Sequence, residues 1–141
     1  MFPAQIILHL GLERHPEGGW YRQTWIDDPE SGRSAGTAIY YLLEREQRSH
    51  WHRVDATEIW HFYAGSPLIL SVSETADGPA REHVLGPNLA ANQAPQIVIA
   101  RNHWQSARPI GAWTLAGCTV SPGFSFDGFT LAPQEFDIPV A

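Results

Sequence analysis

SHWHRVDATEIWHFYAGSP, residues 49–67, holds three of the chain's seven histidines and two of its six tryptophans. Side chains on a strand alternate between faces, so His50 and His52 are expected to project together while Trp51 points the other way. The Asp55-Ala56-Thr57 break reads as a hairpin connection, after which Glu58 opens a neighbouring antiparallel strand beside them. Glu58, Trp60 and Phe62 share one face of that strand, and Ile59, His61 and Tyr63 share the other. Gly65-Ser66-Pro67 then turns the chain into LILSVSE.

The same texture extends outward in both directions. GWYRQTW, TAIYYLLE, REHVLG, QIVIA, AWTLAGCTV and FTLAP are short apolar or alternating runs separated by Gly, Pro and Asp. The longest of these breaks are IDDPESGRSAG (26–36) and GPNLAANQAP (86–95). About eight to ten short strands without strand–helix alternation make an all-β sandwich or barrel. Only residues 1–12 read as helix: Pro3 suits a first turn, Ile6, Ile7 and Leu10 lie at helical spacing, and Gly11 stops the pattern. The 86–95 loop is the long polar connection, placed to cover a pocket mouth or to meet a partner.

Composition narrows the function. At 141 residues the chain is one domain with enough bulk for its own core. Its net charge is −6, carried against nine arginines and no lysine. Scattered arginines on an acidic chain argue against nucleic-acid binding, and the lack of lysine excludes Schiff-base chemistry by this chain. Cys118 cannot form an internal disulfide and reads as a small buried hydrophobe within TLAGCTV. The N-terminal run shows no secretory signal and no membrane span, so a cytoplasmic protein is expected.

Two imidazoles and a carboxylate on one sheet face are a known way to hold a divalent transition metal with positions left for substrate. His50, His52 and Glu58 are therefore candidate ligands. The same residues also suit catalysis without metal: a histidine in an apolar barrel beside a carboxylate is tuned for general acid–base work near neutrality.

With His50-Trp51-His52, Glu58 and Gly65, and six residues between the last two, the stretch resembles the first signature motif of the cupin superfamily. HPEGGWYRQTW, SHWHRVDATEIWHFYAG and GCTVSPGFSFDGFTLA resemble the segments of a subgroup, the small single-domain cupins grouped as a domain of unknown function. The resemblance covers nearly the whole chain. It implies a double-stranded β-helix, or jelly roll, over residues 18–132, a pocket inside it, and a homodimer. It implies no single activity, since fold does not fix function.

Two departures qualify the metal reading. The gap between His52 and Glu58 is longer than the motif's. In the later motif, Pro-x-Gly-x-x-His, the position of the fourth ligand falls on Gln105, and His103 lies in the preceding turn as a loop histidine. The resemblance thus implies a set of His50, His52, Glu58 and Gln105 for Zn, Fe, Mn or Ni, with low affinity and the metal absent from some preparations. Around it, Trp60, Phe62 and Trp104 form a stacking wall for a small, polar, carbohydrate-like ligand, or else they are plain core. Arg22 meets an anionic ligand, or makes a surface ion pair. His61 faces away, towards packing or an interface. A metal-dependent enzyme, a metal-free isomerase or epimerase, and a non-enzymatic ligand-binding module all remain open.

Overall fold

The structure, a computed structural model, describes residues 1–29 and 32–141; Glu30 and Ser31 of the expected 26–36 turn lie outside the described residues. Helix α1 (Pro3–Leu10) ends at Gly11, whose left-handed φ of 66° closes its last turn. Strands β1 (Glu13–Arg14), β2 (Trp20–Ile26), β3 (Thr37–Glu44), β4 (Ser49–Val54), β5 (Thr57–Gly65) and β6 (Leu68–Ser73) follow. Then come β7 (Arg81–Leu85), β8 (Gln96–Ile99), β9 (Trp104–Pro109), β10 (Trp113–Ser121) and β11 (Phe129–Leu131). No helix among the described residues is long and apolar enough to cross a membrane.

Two antiparallel sheets face each other. One has the order β1-β2-β3-β10-β5-β8 and the other β11-β4-β9-β6-β7. Nearest neighbours in space are often far apart in sequence, as when β10 pairs with both β3 and β5. That is the jelly-roll winding expected of an all-β chain.

The interior is solid at one end and hollow at the other. Tyr41, Leu43, Trp60, Leu68, Leu70, Leu85 and Ile99 interdigitate between the sheets in the solid half. Inward positions nearer the other end of the same strands, Thr37 and Ile39 on β3, Glu58 on β5, Cys118 and Val120 on β10, line a cavity of about 300 Å³ instead. Helix α1 packs outside the six-stranded sheet, with Ile6 against Leu12 and Leu42. Residues beyond β11 wrap the outer side of β4, where Phe136 and Ile138 cover Trp51 and Trp104.

One irregularity sets the site. Between β4 and β9, Ser49 pairs with Ala107 and His52 with Gln105, so three steps on β4 match two on β9. This is a β-bulge, and it breaks the alternation of faces. Ser49 and His52 both turn inward and are buried. His50 and Trp51 turn outward, where His50 Nε2 lies 2.8 Å from the Pro133 carbonyl and Trp51 Nε1 donates to Asp137 Oδ1 at 2.7 Å. The expected common face of His50 and His52 is corrected on this point: one inserted residue rotates His50 out of the barrel.

Candidate functional site

His52 lines the cavity and is 2% exposed. Its Nδ1 lies 2.7 Å from the His50 carbonyl. A carbonyl only accepts, so Nδ1 carries the proton and the neutral ring offers Nε2 as a lone pair. Among the described residues that nitrogen has no hydrogen-bond partner; Glu17 Oε2 is the near group, at 3.6 Å. Burial pushes the His52 pKa down, which keeps the ring neutral, while the Glu58 carboxylate acts in the opposite sense.

Glu17 reaches the cavity because the chain reverses sharply after it. Gly18 and Gly19 take φ of 113° and 78°, and a side chain on Gly18 would collide with the Arg48 carbonyl. His50 N–H donates to the Glu17 carbonyl at 2.8 Å, which docks the turn onto β4. Ser49 Oγ donates to Glu17 Oε2, and Tyr41 OH lies between the Gly18 carbonyl and Glu17 Oε2. His15 Nδ1 accepts the Glu17 N–H at 3.1 Å and lies 3.3 Å from Oε1. Burial raises the Glu17 pKa and lowers that of His15, disfavouring charge on both, while the attraction between the two groups acts in the opposite sense on each.

Glu58 is fixed by a relay. Trp60 Nε1 donates to Gln105 Oε1 at 2.8 Å, and Gln105 Nε2 donates to Glu58 Oε1 at 2.8 Å. An indole can only donate, so the glutamine oxygen must face Trp60 and its amino group must face Glu58. Burial lifts the Glu58 pKa from 4.5 to about 7; neighbouring His52 opposes the rise, Glu17 adds to it, and the Gln105 and Cys118 donors oppose it. The Cys118 thiol is itself pushed well up by burial, so it is an inert donor to Glu58 rather than a nucleophile. Tyr21, Phe124 and Phe126 form the aromatic wall of the cavity.

Comparison with known proteins agrees with this architecture. The family described as Cupin superfamily (DUF985) matches residues 4–132. The chain belongs to the cupin superfamily. A crystal structure of a protein from Shewanella oneidensis is similar to this cupin at 36% identity and a TM-score of 0.88, covering 96% of this chain and 87% of that one. A hypothetical protein from Leishmania major is 27% identical with a TM-score of 0.84, covering 96% and 90%. Bacillus subtilis oxalate decarboxylase, at 11% identity and a TM-score of 0.65, shares the fold over 84% of this chain and 29% of its own. No curated protein matches this cupin.

The structure brings together some of the residues singled out from sequence and separates others. His52, Glu58 and Gln105 meet as described, with Gln105 behind Glu58. His50 does not join them. The four-residue metal set therefore does not fit: His50 faces the C-terminal segment, and the Gln105 oxygen is committed to Trp60. Among the described residues no group of three or more His, Cys, Asp or Glu side chains is arranged to hold an ion.

The stacking wall is also placed differently. Trp60 and Phe62 fill the solid half of the barrel. Trp104 packs on the far side of its sheet under Phe136, with the Arg53 guanidinium 5.0 Å from its ring centroid. Arg22 donates to the Leu10 carbonyl at 3.2 Å and serves the helix terminus, not the cavity. The 86–95 loop contributes no residue to the cavity lining. His61 faces outward beside Thr119, and His103 follows Asn102 at its positive φ in the turn before β9.

His15, Glu17, Tyr21 and the two phenylalanines were not among the expected site residues. A carboxylate immediately before Gly-Gly, and phenylalanines at alternate positions in GFSFDGF, were the available signals.

Proposed function

We propose that this cupin takes a small polar molecule into its barrel cavity and moves a proton on it, using its own imidazole and carboxyl groups as base and acid. One observation carries the reading: a buried imidazole whose Nδ1 is anchored to a carbonyl and whose Nε2 opens unpartnered into a cavity. Beside it stands a carboxyl group whose pKa is lifted to about 7. An acid and a base poised near the working pH are what proton transfer next to a carbonyl requires.

In this reading His52 Nε2 removes the proton from the carbon adjoining the carbonyl. The C–H electron pair becomes part of a C=C bond, and the carbonyl oxygen takes the proton from neutral Glu58. The resulting enediol is reprotonated from the imidazolium, on either carbon or either face, and Glu58 recovers its proton from the hydroxyl. The product is an isomer or epimer, and no redox partner is consumed.

The test is deuterium uptake in D₂O, followed by NMR over a panel of aldoses, ketoses and smaller hydroxycarbonyl compounds. The wild-type protein is expected to catalyse exchange at one carbon. His52→Gln is expected to lower the rate by at least about a hundredfold, the range of a positioned general base. Exchange that survives His52→Gln would refute the assignment. Binding without exchange would identify a ligand-binding module instead.

A further inference from the structure

We infer that the cavity selects a ligand that bears an ammonium group and can donate a hydrogen bond to His52 Nε2, and that its mouth holds the cationic group between Glu13 and the Tyr21, Phe124 and Phe126 rings. The inference rests on the reading of this cavity as the ligand site and adds the class of ligand.

The lining supports it in three ways. First, Glu13, Glu17 and Glu58 all line the cavity, and among the described residues no arginine does so, in a chain that has no lysine. A carboxylate or phosphate ligand would find no cation to meet it, and its desolvation would go uncompensated.

Second, the imidazole of the floor presents an acceptor to the cavity. His52 Nε2 is bare because Nδ1 holds the proton, and His52 is only 2% exposed. The donors packed nearest to His52 and Glu58 are occupied by protein groups: Gln105 Nε2 and the Cys118 thiol serve Glu58, and Ser49 Oγ serves Glu17. A buried acceptor facing a cavity calls for a donor from the ligand.

Third, the mouth combines aromatic faces with a carboxylate. Glu13 lies across the ladder from Tyr21, and its charge raises the Tyr21 pKa alongside burial, which places the two side chains close together. Phe124 and Phe126 meet edge to face with centroids 4.9 Å apart, and Phe126 is 56% exposed. Phe124 is held in place where its N–H donates to Thr37 Oγ1 at 2.9 Å. Ring faces and a carboxylate around one opening attract an organic cation by quadrupole and charge together.

At about 300 Å³ the cavity is at the small end for ligand sites, suited to a molecule of monosaccharide size or less. The test uses two matched sets: D-glucosamine, D-glucose and D-glucuronate, and ethanolamine, ethylene glycol and glycolate. Binding is read from chemical-shift changes of the Tyr21, Phe124, Phe126 and His52 rings, with no turnover needed. Within at least one set the amine is expected to bind at least about tenfold tighter than the neutral analogue, and the anion not at all. Glu13→Gln, a change at the exposed rim, is expected to remove most of that preference while leaving the fold intact.

An anion that binds as well as the amine would overturn the inference. So would a preference unchanged by Glu13→Gln, or no saturable shift with either amine up to roughly 50 mM, where even a millimolar Kd saturates. Failure of the proton-transfer reading shows differently: amines bind with the expected preference, yet no carbon exchanges in D₂O.

Discussion

Replacing Glu58 by glutamine isolates the most consequential charge in the barrel. The side chain keeps its shape, and its oxygen can still accept from Gln105 Nε2, but it no longer titrates. In the folded protein Glu58 titrates near 7 instead of 4.5, chiefly because it is buried. The folded state therefore binds the proton more tightly than the unfolded chain does. Its contribution to stability is fully present below pH 4.5 and is lost as pH rises through 7. At about 1.4 kcal/mol per pH unit, that displacement corresponds to roughly 3 kcal/mol. Groups facing Glu58, namely His52, Glu17 and Cys118, are present in both proteins, so the difference between the two reports Glu58 itself. Urea unfolding from pH 4 to 9 is the assay. Glu58→Gln minus wild type is expected to grow by roughly 3 kcal/mol in favour of the variant between pH 4.5 and about 8. Parallel stability curves would show that Glu58 titrates normally, and the acid–base reading of the cavity would fall with that result.

The remaining expectations concern the neighbours of Glu58. Gln105→Leu strands the Trp60 N–H in the core and removes a donor from Glu58; it should cost about 2–4 kcal/mol in unfolding experiments and move the Glu58 titration, read by NMR, further above 7. His50→Ala, which loses the contact to the Pro133 carbonyl outside the barrel, should cost about 1 kcal/mol and leave ligand binding in the cavity intact. The proton-exchange rate should decline above about pH 7 as Glu58 loses its proton, and on the acid side as His52 gains one, at a pH below the usual imidazole value. Sedimentation is expected to give a dimer of twice the 15.7 kDa chain mass, with Tyr63→Glu or Val98→Glu on the exposed face of the six-stranded sheet shifting it to monomer.

The fold was legible in the sequence because its signals are local. Alternating apolar runs, Gly and Pro punctuation and the Gly11 stop each follow from one stretch of backbone. Gly65 illustrates the point: it sits at a φ of 87° where a side chain would strike the Trp113 carbonyl, so its place in the motif has a direct steric cause. The site was legible only in part. His52, Glu58 and Gln105 come together because pairing of β4 with β9 and of β5 with β10 follows from the fold. The bulge in β4 escaped, since an inserted residue changes which side chains face inward without altering their order or type. Glu17 escaped for another reason: its position depends on a reversal at Gly18-Gly19 and on contacts with Tyr41 and Ser49, far away in sequence.

The division of the barrel into a solid and a hollow half bears on how such a protein can change. Residues that determine stability, such as Leu68, Leu70, Leu85 and Ile99, do not border the cavity, while Glu13, Gln23 and Phe126 border it and are exposed. A substitution at the mouth can therefore alter what enters without spending the free energy that keeps the chain folded. Trp60 and Gln105 are the exception, because one hydrogen-bonded chain through them joins the packed half to Glu58. Variation should be broad at the rim and narrow at that junction, which makes the rim the place to select for new ligands and the junction the place to look for what all of them share.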